Sequence, residues 1–212
     1  MQDIPFFSTQ FGVASLTLNQ IPYTSDSYIR IQATTNGAKL LKECVDFCRA
    51  AGAERIYATG DQVTEQYPFH TQIWKMCCKR TQIPETDAAL VPVNADTLEQ
   101  WRSIYNEKMR NVPNAAVMTL SAAKMLLETK TAFFVLRDEL LLGIGAIEET
   151  QIKAIASVVP GSGADIVSAL NSALSGETVY AEVASENNAA IRLYKRLGFA
   201  QEQIIAQWHK II

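Results

Sequence analysis

Three stretches in the C-terminal half of the chain carry groups able to do chemistry. Asn187-Asn188-Ala189-Ala190-Ile191-Arg192-Leu193-Tyr194-Lys195-Arg196-Leu197-Gly198-Phe199 sets an amide at a helix start, a phenol inside the helix and a glycine at its end. A phenol with an unperturbed pKa of about 10 is protonated at neutral pH and can donate a proton. Packing accounts for the same tyrosine, because Ala190, Tyr194 and Leu197 share one face of an amphipathic helix. Asn187 can cap that helix through its side-chain oxygen. Upstream, Gly161-Ser162-Gly163 stands immediately before a helix that begins at Ala164. Glycines let a backbone approach a phosphate closely, and the open N–H groups of a helix N-terminus face an anion. This loop supplies no arginine or lysine of its own, and Asp165 adds a negative charge. The third is a pair of separated carboxylates, Glu149 and Glu182, one on each side of that loop and each beside or within a strand-like run.

Metal and thiol chemistry find little support. Cys44 and Cys48 lie one helical turn apart and Cys77 and Cys78 are adjacent, which matches no common zinc spacing. They read as buried, reduced thiols acting as small apolar side chains. His70 and His209 are isolated in sequence and receive no role. No metal is expected.

The bulk numbers bound the rest. The 212 residues are 48% hydrophobic and 19% charged, the balance of a compact globular protein. A formal net charge of −3 gives no general attraction to nucleic acid. No apolar run approaches the roughly 18 to 20 residues that span a bilayer. Met1-Gln2-Asp3-Ile4-Pro5 lacks the basic start and apolar core of a signal peptide, so a cytoplasmic location is expected.

The elements that position these residues follow from periodicity. Phe11–Leu18 and Asp26–Ala33 alternate as half-buried strands, and Gly37–Ala51 has helical spacing, with Asn36 as cap and Gly52 as stop. Arg55–Thr59 is a short strand, which completes a strand, helix, strand crossover. Thr71–Lys79 reads as a short apolar helix. Thr81–Thr86, with Pro84, is the best linker, dividing the chain into 1–84 and 87–212. Beyond it come a strand at Ala88–Val93, a helix at Asp96–Arg110 with Asp96 and Glu99 as a capping box, and a helix at Ser121–Leu127 capped by Ser121. Thr131–Arg137, Leu140–Glu148 and Gln151–Val159 form an antiparallel meander, turned at Asp138-Glu139. Ala164–Leu174 is a helix, Thr178–Val183 a strand and Asn188–Leu197 a helix, with one or two strands in Phe199–Ile211. The expectation is an α/β (α+β) protein with a mixed, mostly antiparallel sheet flanked by helices.

From Ala88 onward this order resembles that of the GCN5-related N-acetyltransferases. Asn187–Phe199 matches that family's pattern N-x-x-A-x-x-L-Y-x-x-x-G-F at every named position, directly after a strand. Val158-Val159-Pro160-Gly161-Ser162-Gly163 keeps the glycines of the family's pyrophosphate loop and lacks its polar or basic first residue. Residues 28–59 resemble a worn second copy of the same unit, with Asn36-Gly37-Ala38 at the loop position and no counterpart of the Asn–Tyr signature. Two tandem units are therefore expected.

The resemblance implies acetyl-CoA as cosubstrate and a primary amine, on a small molecule or a peptide, as acceptor. It makes Tyr194 the general acid for the departing thiolate, or a cofactor-binding residue through its hydroxyl, and lets Asn187 contact the pantetheine. It makes Ala156–Val159 an added-strand partner for the pantetheine amides, an N–H at Val158 or Val159 polarising the thioester carbonyl. Gly161, Ser162, Gly163 and Ala164 would hold the pyrophosphate. Glu149 and Glu182 are the candidate general bases, and relayed water is the alternative. A non-catalytic acyl-CoA-binding or regulatory role is the runner-up. The 1–84 segment is left open between completing an acceptor cleft, packing like a subunit and mediating a homodimer. Neither nucleic acid nor membrane is expected as a partner.

Overall fold

The computed structural model describes residues 3–212; Met1 and Gln2, at the start read for a leader, lie outside the described residues. The chain forms two compact units, one from Met1–Ile73 with Ile204–Ile212, the other from Trp74–Gln203. These differ from the segments 1–84 and 87–212: residues 74–84 go with the second unit, and the end of the chain goes with the first.

In the first unit, β1 (Ile4–Thr9), β2 (Gly12–Thr17) and β3 (Asp26–Thr34) form an antiparallel meander, with a four-residue helix α1 (Ile21–Thr24) between the last two. Helix α2 (Gly37–Ala50) then leads to β4 (Arg55–Thr59), which lies parallel to β3. Asn36 caps α2 by accepting from the Lys39 N–H at 3.2 Å, and Gly52 leaves it at φ +98°. Its apolar stripe, Leu40, Leu41, Cys44, Val45 and Cys48, packs on Leu16, Ile29, Ile31, Ile56 and Ala58. All four cysteines are free, and burial pushes the Cys44 thiol up to about 12, too high for a thiolate at neutral pH. The unit is closed on its other side by β11 (Ala200–Lys210), antiparallel to β4 with His209 opposite Ala58 and Lys210 opposite Tyr57.

The second unit begins in β5 (Phe69–Lys79). Thr71–Lys79 is a strand and not the expected helix. A short apolar run without a cap satisfies either period, and here Met76 and Cys78, two residues apart, enter the core together. The rest comprises β6 (Ala89–Pro92), α3 (Leu98–Met109), α4 (Leu120–Thr129), β7 (Ala132–Arg137), β8 (Leu140–Glu148), β9 (Gln151–Ser157), α5 (Gly163–Ala173), β10 (Thr178–Ala184) and α6 (Asn188–Arg196). Its strands run in the order β5-β10-β9-β8-β7-β6. The meander β6-β7-β8-β9 is antiparallel, and β10 is parallel to β9.

The two cap assignments on this unit shift. Asn94 accepts from the N–H groups of Asp96 and Thr97, both at 3.0 Å, so this turn delivers Thr97 to the cap position and no Asp96–Glu99 box forms. Glu99 binds Arg102 instead. Thr119, not Ser121, caps α4, accepting from the Ala122 N–H at 3.1 Å. Helices cover both faces of the sheet. On one face Ile166, Val167 and Leu170 of α5 and Ile191 and Leu193 of α6 pack on Val179, Ala181 and Val183. On the other, Leu98 and Trp101 of α3 and Ala123 of α4 pack on Phe134, Ile144 and Ala146. The buried Trp101 donates its indole N–H to the Phe133 carbonyl at 3.1 Å.

Candidate functional site

The pairing of β9 changes halfway along it. Ile147 pairs with Ile152 and Ala146 with Ala154, one step on β8 against two on β9, which leaves Lys153 as the extra residue of a β-bulge. On its other side β9 pairs with β10 only at Gln151–Tyr180 and Ile152–Ala181. The two parallel strands therefore part at the bulge, toward their carboxyl ends. Past the bulge β9 stays in register with β8 through Ser157.

Hydrogen-bond directions alternate along such a strand. The N–H groups of Val158 and Val159 both donate to the Leu142 carbonyl, at 2.9 and 3.1 Å. The N–H expected to polarise a carbonyl at Val158 or Val159 is thus engaged with β8, and Ala156, of the same parity as Val158, shares that direction. Alternation assigns Ile155 and Ser157 to the side that faces the opening.

The glycine loop connects the end of β9 to α5. Gly161 has φ +87° and open space where a Cβ would be, so the glycine serves the turn and not a close contact. At Gly163 a Cβ would stand 2.8 Å from Leu193 Cδ2, so this glycine seats α6 against the first turn of α5. The buried Ser162 hydroxyl lies 2.9 Å from the Leu142 carbonyl and 2.8 Å from that of Val159. It fastens the loop to β8 and does not cap α5. The first N–H groups of α5, at Gly163, Ala164 and Asp165, have no carbonyl partner within the helix and no side-chain cap from Ser162. The charge of Asp165 is drawn off them: its carboxylate binds Arg137 Nη2 at 2.7 Å and accepts from Thr86 at 3.3 Å.

Tyr194 extends from α6 into the apolar core shared with α5 and β10, its ring 5.1 Å from that of Phe199. Burial pushes its phenol above the ordinary tyrosine range, which keeps it protonated. Among the described residues its hydroxyl has no hydrogen-bond partner. Asn187 caps α6, accepting from the Ala190 N–H at 3.2 Å, which commits its oxygen locally.

The two carboxylates differ in setting. Glu182 is exposed on β10, one residue past the last pair with β9, and accepts from Gln151 Nε2 at 3.0 Å. Glu149 is exposed in the β8–β9 turn at φ +50°, its carbonyl held by the N–H and hydroxyl of Ser175, both at 3.0 Å. Glu182 borders the parting strands, and Glu149 belongs to the turn.

Several residues that shape the site carry no motif. The bulge at Lys153, Arg137 and the Leu142 carbonyl are among them. Gly143 and Gly145 had a visible signal, two glycines within an apolar run. A Cβ at either would stand 2.5 Å from Ile166 or Leu170, so both glycines bring α5 down onto β8. Among the described residues no group of His, Cys, Asp and Glu could hold a metal ion, and no helix is long and apolar enough to cross a membrane.

A meander, a bulged strand parting from its parallel neighbour, and a glycine loop opening a helix across that gap make up the fold of the GCN5-related N-acetyltransferases. No protein-family model and no curated protein sequence matches the chain. Among solved structures it is similar to a GCN5-related N-acetyltransferase from Sphaerobacter thermophilus, with TM-score 0.62 and 14% identity over 93% of this chain and 75% of that one. A functionally unknown conserved protein from Staphylococcus epidermidis matches at TM-score 0.62 and 12% identity, over 96% of this chain and 91% of that one. A tandem GNAT protein from the clavulanic acid biosynthesis pathway matches at TM-score 0.50 and 10% identity, over 94% and 78%. At these identities the likeness is one of fold.

Proposed function

We propose that the second unit binds acetyl-CoA in the opening between β9 and β10 and transfers the acetyl group to a primary amine. The observation that carries this reading is the parting of the two strands at the Lys153 bulge, on the strand that leads to the Gly161–Gly163 loop. The N–H groups of Gly163 and Ala164 suit the pyrophosphate. Ile155 and Ser157 suit the pantetheine amides, in place of Val158 and Val159. The thioester supplies the activated acyl group when bound. Tyr194 holds the proton that a departing sulfur needs, and its unpartnered hydroxyl favours that role. Glu182 is the better candidate to take the proton from an incoming ammonium, because it borders the opening, whereas Glu149 lies in the turn beyond it.

Two experiments test this. CoA is titrated against thermal stability, where binding at 100 times the dissociation constant adds about 2.7 kcal/mol. Amines are then screened with acetyl-CoA, with free thiol release as the readout. A second reading, acyl-CoA binding without transfer, is favoured by the exposure of both carboxylates. Saturable CoA binding with no thiol release for any amine tested would support that second reading.

A further inference from the structure

The first unit repeats the strand, helix, strand arrangement but closes it. β3 and β4 pair without interruption from Asp26–Arg55 to Arg30–Thr59, so no gap opens between them. At the first turn of α2 the Asp61 carboxylate stands 2.6 Å from where a Gly37 Cβ would be, while accepting from the Val63 N–H at 2.9 Å. A fixed carboxylate thus occupies the place where an anion would approach this helix.

The opening in this unit lies one strand pair further on. β4 ends at Thr59, and the chain turns away at Gly60 with φ +98°, while β11 runs on past it. The space between holds a cavity of about 500 Å³, in the size range of small-molecule sites. One wall is the Gly60-Asp61 turn with Glu65, and the other is β11 from Ile204 to Gln207 with His209.

The β11 wall is preorganised. His209 is 4% exposed and donates from Nδ1 to the Tyr67 carbonyl at 2.9 Å. Its Nε2 is left to accept from the Gln207 amide at 3.1 Å, and the Gln207 oxygen accepts from Gln72 at 3.0 Å. The opposite wall carries the charge. Asp61 and Glu65 line the cavity, no lysine or arginine does, and neither carboxylate is in an ion pair among the described residues.

We infer that this cavity is a binding site for a small protonated amine bearing further hydrogen-bonding groups, its ammonium held toward Asp61 and Glu65 and its polar groups against Gln207. Asp61 and Glu65 with no lysine or arginine beside them in the lining favour a cation and disfavour an anion. The Gln207 amide, held in place by Gln72 and His209, selects for orientation. The site is independent of the acyl-CoA reading of the second unit.

The test uses the full chain and three probes of one scaffold: glucosamine, glucose and glucuronate. Spermidine and ethanolamine extend the series for size. Amide chemical shifts locate binding while titration measures it. Saturable shifts confined to residues 59–65 and 204–209 are expected with at least one of the amines. Glucose binds more weakly than glucosamine, and glucuronate more weakly again. Glu65→Gln, an exposed change that leaves the fold intact, reduces amine affinity about three- to fivefold, the effect of losing up to about 1 kcal/mol. Silence with every amine at millimolar concentration, glucuronate binding as well as glucosamine, or amine affinity unmoved in Glu65→Gln would each overturn the assignment.

Discussion

Arg137 Nη2 lies 2.7 Å from Asp165 Oδ1, and the same guanidinium reaches Asp87 through Nε at 2.6 Å. This contact ties the end of β7 to the first turn of α5. An acidic residue in a helix's first turn stabilises the helix, yet it competes with any external anion for the same positive end. Arg137 balances that charge. Arg137→Gln is therefore expected to weaken CoA binding by about three- to tenfold, with the effect growing at low salt. Adding Asp165→Asn to Arg137→Gln restores the affinity. A merely structural role for the pair would leave the double variant as weak as the single one, which calorimetric titration distinguishes.

Tyr194 separates chemistry from packing. Its hydroxyl has no partner among the described residues, so Tyr194→Phe should change stability by less than about 0.5 kcal/mol. Tyr194→Ala empties a core position and should cost about 3 to 5 kcal/mol in urea unfolding. If the phenol serves the leaving thiolate, Tyr194→Phe lowers kcat while leaving CoA affinity near its original value. Unchanged turnover would remove Tyr194 from the mechanism.

Burial raises the Tyr194 pKa in the folded chain, which has a consequence at high pH. The unfolded phenol ionises near pH 10 while the folded one keeps its proton, so the folded state then binds more protons. The tyrosine's contribution is fully present below about pH 10 and is lost as pH rises above it. Denaturant unfolding of the original chain should thus weaken above that pH more steeply than that of Tyr194→Phe.

Gly161 and Gly163 predict different failures. Gly161→Ala meets no neighbour and costs only the strain of φ +87°, about 1 kcal/mol. Gly163→Ala drives a methyl into Leu193, at 2.8 Å, and pushes α6 away from the loop. It should cost about 1 to 3 kcal/mol and weaken CoA binding more than Gly161→Ala does.

A fragment of residues 87–212 lacks β5, whose Met76 and Cys78 belong to the second unit's core. It should be molten or insoluble, as judged by its amide dispersion, whereas extension back to residue 74 restores three buried core side chains, Met76, Cys78 and Ile83.

Most of the second unit was legible because its elements are local. Helix periodicity, the Asn187 cap and the Gly198 stop all lie within a few residues of one another. Thr71–Lys79 misled because an apolar run of nine residues fits either period, and only its strand neighbours decide. That Ile204–Ile212 belongs with the first unit had no local signal at all. Nor did the Lys153 bulge, since Gln151–Val159 reads as one regular strand and the extra residue is defined only against β8. For the same reason Val158 and Val159 suggested themselves as carbonyl donors, while the register that commits them to Leu142 lies in the pairing. Gly161–Gly163 was visible, but the Arg137 that neutralises Asp165 stands 28 residues away in sequence.

The central claim is that the opening beside the Lys153 bulge takes CoA. Calorimetric titration of CoA into the full chain tests it most directly. The expected result is saturable binding at one site per chain, since β9 and β10 part and β3 and β4 do not, with affinity reduced in Gly163→Ala. Absence of any binding at millimolar CoA, or two equivalent sites per chain, would contradict it.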